Sequence, residues 1–377
     1  MLIPKPPAIS DIDRISPTVY EAARLCVARA SWTATGNRDE VPPQPRALLG
    51  LGAHAVFKLA RRAGLPGATQ EDRTRAAEAT FEEHVSALFR KTHPLLRAKF
   101  ETVEHIPYFH IYRARTALIA AALRGGQSRG AKAHADHVTP DDRRTQLESM
   151  LTSRDGRVAG RPDVVDADSA TVVDYKTGRV EDPRRISERE QRLLRLYAHL
   201  AQENGIEIRR GVIERANRAR ATMDIAREDA EAEGRRARDT LDAYRRFANR
   251  PFGEAANPSR ETCRHCPCIP FCPAFWEKAN PEWESGYGPQ IEGTVESLDG
   301  DSLLSLRVTV SRGTIPRGSA VVGRLSRNWL TMGEAEIPRT RDVVRVTDAR
   351  RTGDGATPTM LQADRETTAV WRQTPEE

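Results

Sequence analysis

GRPDVVDADSATVVDYKTG, residues 160–178, decides the reading of this chain. Two short apolar runs with β-branched residues flank a turn rich in Asp, Ser and Ala, which predicts a β-hairpin. Asp163 stands in the first run, and Asp174 and Lys176 stand in the second. Strand side chains alternate with period two, so Asp174 and Lys176 share one face of the sheet. Two carboxylates and an ammonium can then converge on one point. Carboxylates there bind a hard cation such as Mg²⁺ through oxygen. The lysine can orient or activate a water and offset charge developing on a phosphate. A lone D-x-K would suit a surface hairpin with scattered charge, but the G-x-x-D upstream of D-Y-K-T-G makes the string far more specific.

The chain has 377 residues, enough for a full core and about two domains. Lys and Arg exceed Asp and Glu by six, a balance that fits a polyanionic partner. No run of about 18 apolar residues occurs, so no membrane span or membrane partner is expected. The N-terminus MLIPKPPAISDIDR lacks the apolar core of a secretory signal, so a cytoplasmic, nucleoid-associated location is the expectation. Five cysteines in such a compartment do not read as a disulfide framework.

Upstream of the hairpin the pattern is helical. Ser16-Pro17 is a helix start, and one helix is expected to run from there through Cys26 to Trp32. After a polar, proline-rich loop, residues 47–64 read as an apolar helix carrying Gly50 and His54. Residues 69–123 read as two or three scaffold helices. Residues 124–141 form a basic loop with His134 and His137, a solvated segment able to touch a nucleic-acid backbone. Residues 144–152, with Glu148, read as a strand entering the sheet. Downstream, residues 186–205 form a periodic helix with Leu193, Leu194, Tyr197 and Leu200. Residues 206–216 read as a strand and residues 221–250 as a long charged helix. Arg209, Arg210, Arg218, Arg220, Arg235, Arg236 and Arg238 could track phosphates or simply form a solvated face.

Four of the five cysteines lie in NPSRETCRHCPCIPFCP, residues 257–273, which points to metal. Prolines 267, 270 and 273 keep this segment out of a helix, so its sulfurs can wrap round a metal group. A zinc site drawn from Cys263, Cys266, Cys268, Cys272 and His265 and an iron–sulfur cluster both suit the spacing.

Taken in order, S-P-x8-C, G-x-x-x-H, G-x-x-D, D-Y-K-T-G, the Tyr197 helix and C-x-x-C-x5-C resemble the RecB/AddB branch of the PD-(D/E)xK nucleases. The likeness is to its iron–sulfur members, and extends to the CRISPR-associated RecB-type exonucleases. It covers roughly residues 16–275 and implies an α/β core, a mixed sheet flanked by helices and stapled by an iron–sulfur cluster. By resemblance, Asp163, Asp174 and His54 bind Mg²⁺ or Mn²⁺, the Tyr175 carbonyl assists, and Lys176 is catalytic. Tyr197 and Gln191 line the site, although Gln191 lies six residues before the tyrosine rather than four. Glu148 matches a glutamate on the entering strand. Cys26, Cys263, Cys266 and Cys272 make the four thiolates of a [4Fe–4S] cluster, Cys26 being followed by Val27 where the family has Pro. Cys268 is left over, which leaves open whether it or Cys266 ligates. The implied activity is that of a metal-dependent deoxyribonuclease, a single-stranded DNA exonuclease or an end- or flap-processing nuclease in DNA repair, recombination or defence. It would work alone or as the nuclease subunit beside a helicase or other DNA-processing protein, since no Walker A motif is present. The rival is a non-catalytic DNA-binding or assembly module that keeps the fold.

After residue 288 the texture changes to short β-runs separated by Gly, Asp, Arg and Pro turns. Five strands in this stretch suggest a small all-β, OB-like barrel, giving domains at 1–285 and 288–377, the latter with a disordered tail. Residues 291–377 hold 12 Lys and Arg against 13 Asp and Glu, so the basic balance lies in the preceding part. Trp329, Arg324 and Arg327 are candidates for a stacking and phosphate patch.

Overall fold

The computed structural model describes residues 1–35, 41–123, 145–147, 149–176, 182–215, 219–284, 288–330, 337–353 and 358–373. The basic loop with His134 and His137, and likewise Glu148, Thr177, Gly178 and Arg218, lies outside the described residues.

Ser16 caps the first helix, accepting from the Val19 N–H, with Pro17 at its first position. The single helix expected here is two. α1 (Pro17–Leu25) stops at Cys26, whose backbone is extended (φ −163°, ψ 120°), and α2 (Val27–Thr35) restarts beyond it. Four helices follow: α3 (Pro45–Arg62), α4 (Gln70–Arg90), α5 (Pro94–Phe100) and α6 (Phe109–Ala122). The strand expected at 144–152 divides. β1 (Thr145–Leu147) joins the main sheet, whereas β2 (Leu151–Thr152) pairs with β3 (Ala159–Gly160) in a separate ribbon. A turn stapled by Ser153 and Asp155 explains the second pairing, because the Ser153 hydroxyl donates to Asp155 and accepts from the Val158 N–H.

The hairpin forms where the sequence places it, as β4 (Val164–Asp166) and β5 (Thr171–Lys176) in antiparallel register, Val164 opposite Val173. Asp166 accepts from the backbone of Asp168 and Ser169 and so closes the turn. Next come α7 (Glu188–Glu203), opened by a Ser187–Glu190 capping box, and β6 (Arg210–Arg215), parallel to β5. The charged helix expected from residue 221 begins later. Residues Arg220–Asp224 form the edge strand β7, antiparallel to β6, and α8 spans Arg227–Arg245. The five-stranded mixed sheet has the order β1-β4-β5-β6-β7.

Strand alternation gives this sheet two apolar faces. Val165, Val172 and Ile213 pack with α1, α2, α7 and α8, while Val164, Val173, Tyr175 and Val212 pack with α3 to α6. The β4–β5 hairpin is thereby buried between two helical layers, the mixed α/β arrangement expected.

The cysteine segment contains α9 (Arg260–Cys263), and its Pro273 starts α10 (Pro273–Lys278) rather than merely breaking a helix. Beyond it lie β8 (Ile291–Asp299), β9 (Leu303–Gly313), β10 (Gly318–Ser326), α11 (Arg327–Leu330), β11 (Val343–Thr347), β12 (Arg350–Arg351), β13 (Thr359–Gln362) and β14 (Ala369–Arg372). They form one seven-stranded sheet of order β12-β13-β10-β9-β8-β11-β14. Five strands match the runs read from sequence, and β12 and β14 are additional. Leu361 of β13, Val370 of β14, Val308 and Val344 belong to one apolar core. Trp329 packs against this core, with the Lys99 ammonium 5.2 Å from its ring, rather than standing in an open stacking patch. Among the described residues no helix is long and apolar enough to cross a membrane.

Candidate active site

Asp163 precedes β4 and is fixed by the chain beside it: the Tyr175 N–H donates to its Oδ2 at 2.6 Å. That bond leaves Oδ1 toward α3, where His54 Nδ1 lies 3.5 Å away. Asp174 is buried on β5, and the Lys176 ammonium lies 2.6 Å from its Oδ2. Their relative position comes from the strand period, because residues two apart emerge on one face. Asp174 Oδ2 is buried, and this ion pair with Lys176 is its one close polar contact among the described residues. Burial pushes the Asp174 carboxyl up to about 6, against the pull of Lys176. For His54 burial works downward, but Asp163 and Asp174 outweigh it and hold the imidazole above its ordinary value.

Tyr197 on α7 donates its hydroxyl to the Arg161 carbonyl at 3.3 Å. Burial, then the charges of Asp174 and Asp163, raise its phenol, which places it at the edge of the same group. The first residue of G-x-x-D has a packing reason. A Cβ on Gly160 would lie 3.0 Å from the Tyr197 ring and 3.1 Å from Pro17, so glycine relieves a tight contact where α1 and α7 close on the segment that delivers Asp163. Gln191 turns its amide to the Ile186 carbonyl at 3.2 Å, at the start of α7, instead of toward the carboxylates. The Tyr175 side chain leaves by the opposite face and packs on Phe57 with ring centroids 5.4 Å apart. Arg61, which sequence reasoning missed, lies over that ring at 5.4 Å and pairs with Glu214 at 3.8 Å. Its signal was its place seven residues after His54, two helical turns along α3.

Three candidate phosphate trackers are engaged elsewhere. Arg238 contacts Asp155, Glu203 and His199, Arg236 binds Glu233, and Arg209 binds Glu207.

Cys26 lies at the α1–α2 break, where its sulfur accepts from the Asn257 N–H at 3.4 Å. It lines one small cavity of about 10 Å³ with Cys263, Cys266, Cys268 and Cys272, closed by Phe252 and Phe275. Burial pushes Cys263 and Cys272 up to about 12 and raises Cys26 and Cys268. Cys266 is held down to about 7 by its hydrogen bond with Cys268. Among the described residues no three His, Cys, Asp or Glu side chains stand at metal-cage spacing. The donor sets nevertheless suit metal chemistry: two neighbouring carboxylates, one of them buried, with an imidazole in one place, and five gathered thiols with backbone N–H donors in the other.

The family model described as "PD-(D/E)XK nuclease superfamily" matches residues 14–273, more than half of the chain. A solved structure titled "Crystal structure of SSO0001" aligns at 19% identity over 34% of this chain and 60% of that one. This chain thus spans less than two thirds of that protein, and with a TM-score of 0.23 the likeness carries no argument. No curated protein matches.

Proposed function

Because the chain belongs to the PD-(D/E)XK nuclease superfamily, whose members use divalent metals, we propose that it is an Mg²⁺- or Mn²⁺-dependent deoxyribonuclease that hydrolyses phosphodiester bonds at single-stranded ends or flaps. The observation that carries this reading is Asp174. A buried carboxylate whose charge burial opposes, close to a second carboxylate and 2.6 Å from an ammonium, is in the environment a bound cation would satisfy. Asp163, Asp174 and His54 would hold the ion, with the Tyr175 carbonyl as a further oxygen. When bound, the ion lowers the pKa of its water and offsets charge on the phosphate. Lys176, over a third exposed, holds its ammonium where it can donate to the attacking water and to charge growing on the phosphate. The Tyr175 N–H would keep Asp163 from rotating away, and Tyr197 ties the Arg161 carbonyl two residues before it.

End-labelled single-stranded and duplex DNA, incubated with Mg²⁺, Mn²⁺ or EDTA, tests the reading. Cleavage should require the cation, and Lys176→Ala should lower it about 10²-fold or more. A wild type as silent as the variant, while both bind DNA, would favour the non-catalytic module. Silence relieved by an added helicase would place the chain in a helicase–nuclease complex.

The second part of the proposal is a [4Fe–4S] cluster on Cys26, Cys263, Cys266 and Cys272, stapling α1 and α2 to the segment after the catalytic core. Anaerobically purified protein should carry about four irons per chain and lose visible absorbance on oxidation. Zinc at one per chain would sink it.

A further inference from the structure

A groove of about 890 Å³ runs from the catalytic face to the C-terminal sheet. Leu48, Leu51 and His54 of α3 form one wall, Trp32, Pro267 and Pro270 the floor, and Thr347, Asp348 and Trp371 the far wall. We infer that this groove is the track for a single nucleic-acid strand, with the C-terminal sheet as one of its walls. The inference rests on the nuclease reading above and deepens it by naming how the substrate is held.

Three observations carry it. The groove includes His54, whose imidazole lies 3.5 Å from Asp163, so the groove passes next to the carboxylates although they do not line it. Its charge is complementary to phosphate: Lys91 and Arg264 are exposed on it, while its two acids are muted. Glu366 is paired with Arg46 at 3.0 Å, and Asp348 accepts from the Gln290 amide at 2.5 Å. Its surface is also apolar in a way that duplex DNA does not need. Leu51, 46% exposed, stands three residues from His54 on the same helix face, and prolines line the floor. Duplex is held largely through phosphates, whereas a single strand offers base faces to apolar surfaces and its backbone to cations.

The test is binding of fluorescein-labelled oligo-dT by anisotropy in EDTA, where no cleavage intrudes. Lys91→Glu and Arg264→Glu should each weaken binding about threefold or more, and together about tenfold or more. The double variant should also flatten the salt dependence by about 1.4 in log–log slope, two phosphates at ~0.7 each. Arg227→Glu on α8 makes the same charge change away from the groove and should bind as wild type. Leu51→Asp, independent of the cysteine segment, should weaken binding too. Melting temperatures matching wild type would establish that the variants fold. Groove variants that bind like Arg227→Glu overturn the inference, as does a blunt duplex of equal length that binds as tightly and is weakened as much. Cleavage with unimpaired binding in the variants sinks the groove alone. The expected binding pattern in a protein that never cleaves sinks the nuclease reading and leaves the groove.

Discussion

Asp174 sits where its own charge is opposed. Burial raises its carboxyl to about 6, well above the ordinary 3.8, and Lys176 only partly offsets this. A carboxyl whose folded value lies above its unfolded one binds its proton more readily in the native state. In the metal-free protein its stabilising contribution is therefore fully present below the unfolded value near 4 and is lost as pH rises through about 6. Asp174→Asn removes that burden on the order of 1–3 kcal/mol at pH 8. The variant's melting temperature in EDTA should rise by a few degrees while cleavage disappears, the trade expected of a strained functional residue. A melting temperature that falls instead would show that the carboxylate is not strained there. Gly160 makes a separate claim. A methyl group 3.0 Å from the Tyr197 ring makes that ring, or Pro17 of α1, give by a few tenths of an ångström. Gly160→Ala should therefore cut turnover more than it cuts stability, and equal activity at equal fold would sink that role.

At the level of elements, the polar ties between helices decide how the site is braced. Glu233 of α8 is fully buried, accepts from the Tyr20 hydroxyl of α1 at 2.5 Å and from Arg236 at 2.9 Å. Tyr20→Phe removes the first of these and leaves a buried oxygen short of a donor, costing about 1–3 kcal/mol. Urea unfolding should show the midpoint drop with an unchanged slope; no shift would mean that Arg236 alone satisfies Glu233. Such ties also mark how far the sequence could be read. The β4–β5 hairpin and the α7 start were legible because their chemistry is local: an Asp-rich turn, and Ser187 three residues before Glu190. The break at Cys26 was not, since neither Gly nor Pro marks it, and one of the groups its sulfur meets, the Asn257 N–H, lies 231 residues away. Residues 220–224 carry charge that suits a helix, and only the open edge of β6 makes them a strand. The shared face of Asp174 and Lys176 was readable from strand period, whereas Arg61 and the turn of Gln191 toward Ile186 depend on packing between elements.

Across the whole molecule, the two ends of the chain meet. Leu2 bridges Arg372 of β14, and Trp371 is buried with Leu95 of α5, flanked by Met1 and Ile3. Contacts between residues more than 270 positions apart carry no periodic signal, so the change of texture near residue 288 did not reveal how closely the C-terminal sheet is sewn to the helices. Arg345 of β11 donates to the Pro270 carbonyl and stacks over Trp276 at 4.9 Å, tying the same sheet to the cysteine segment. The most exacting of these ties is Lys99. Its ammonium donates to the Thr368 carbonyl at the base of the sheet and is only 4% exposed. Burial pushes it down to about 8, with Asp364 and Asp348 pulling the other way. The unfolded chain, with an ordinary lysine near 10.4, binds more protons than the native state between those values. Stability from this residue should therefore climb as pH rises from about 8 to about 10, by on the order of 2–3 kcal/mol. Other lysines titrate in that window too, so the comparison is with Lys99→Met, which keeps the stem and carries no proton. Its loss of the bond to Thr368 is a constant offset at every pH. The wild type should gain on the variant across that window in urea midpoint. Parallel curves would mean that the ammonium is hydrated, and that the sheet is held to the helices by its apolar contacts around Trp371 instead.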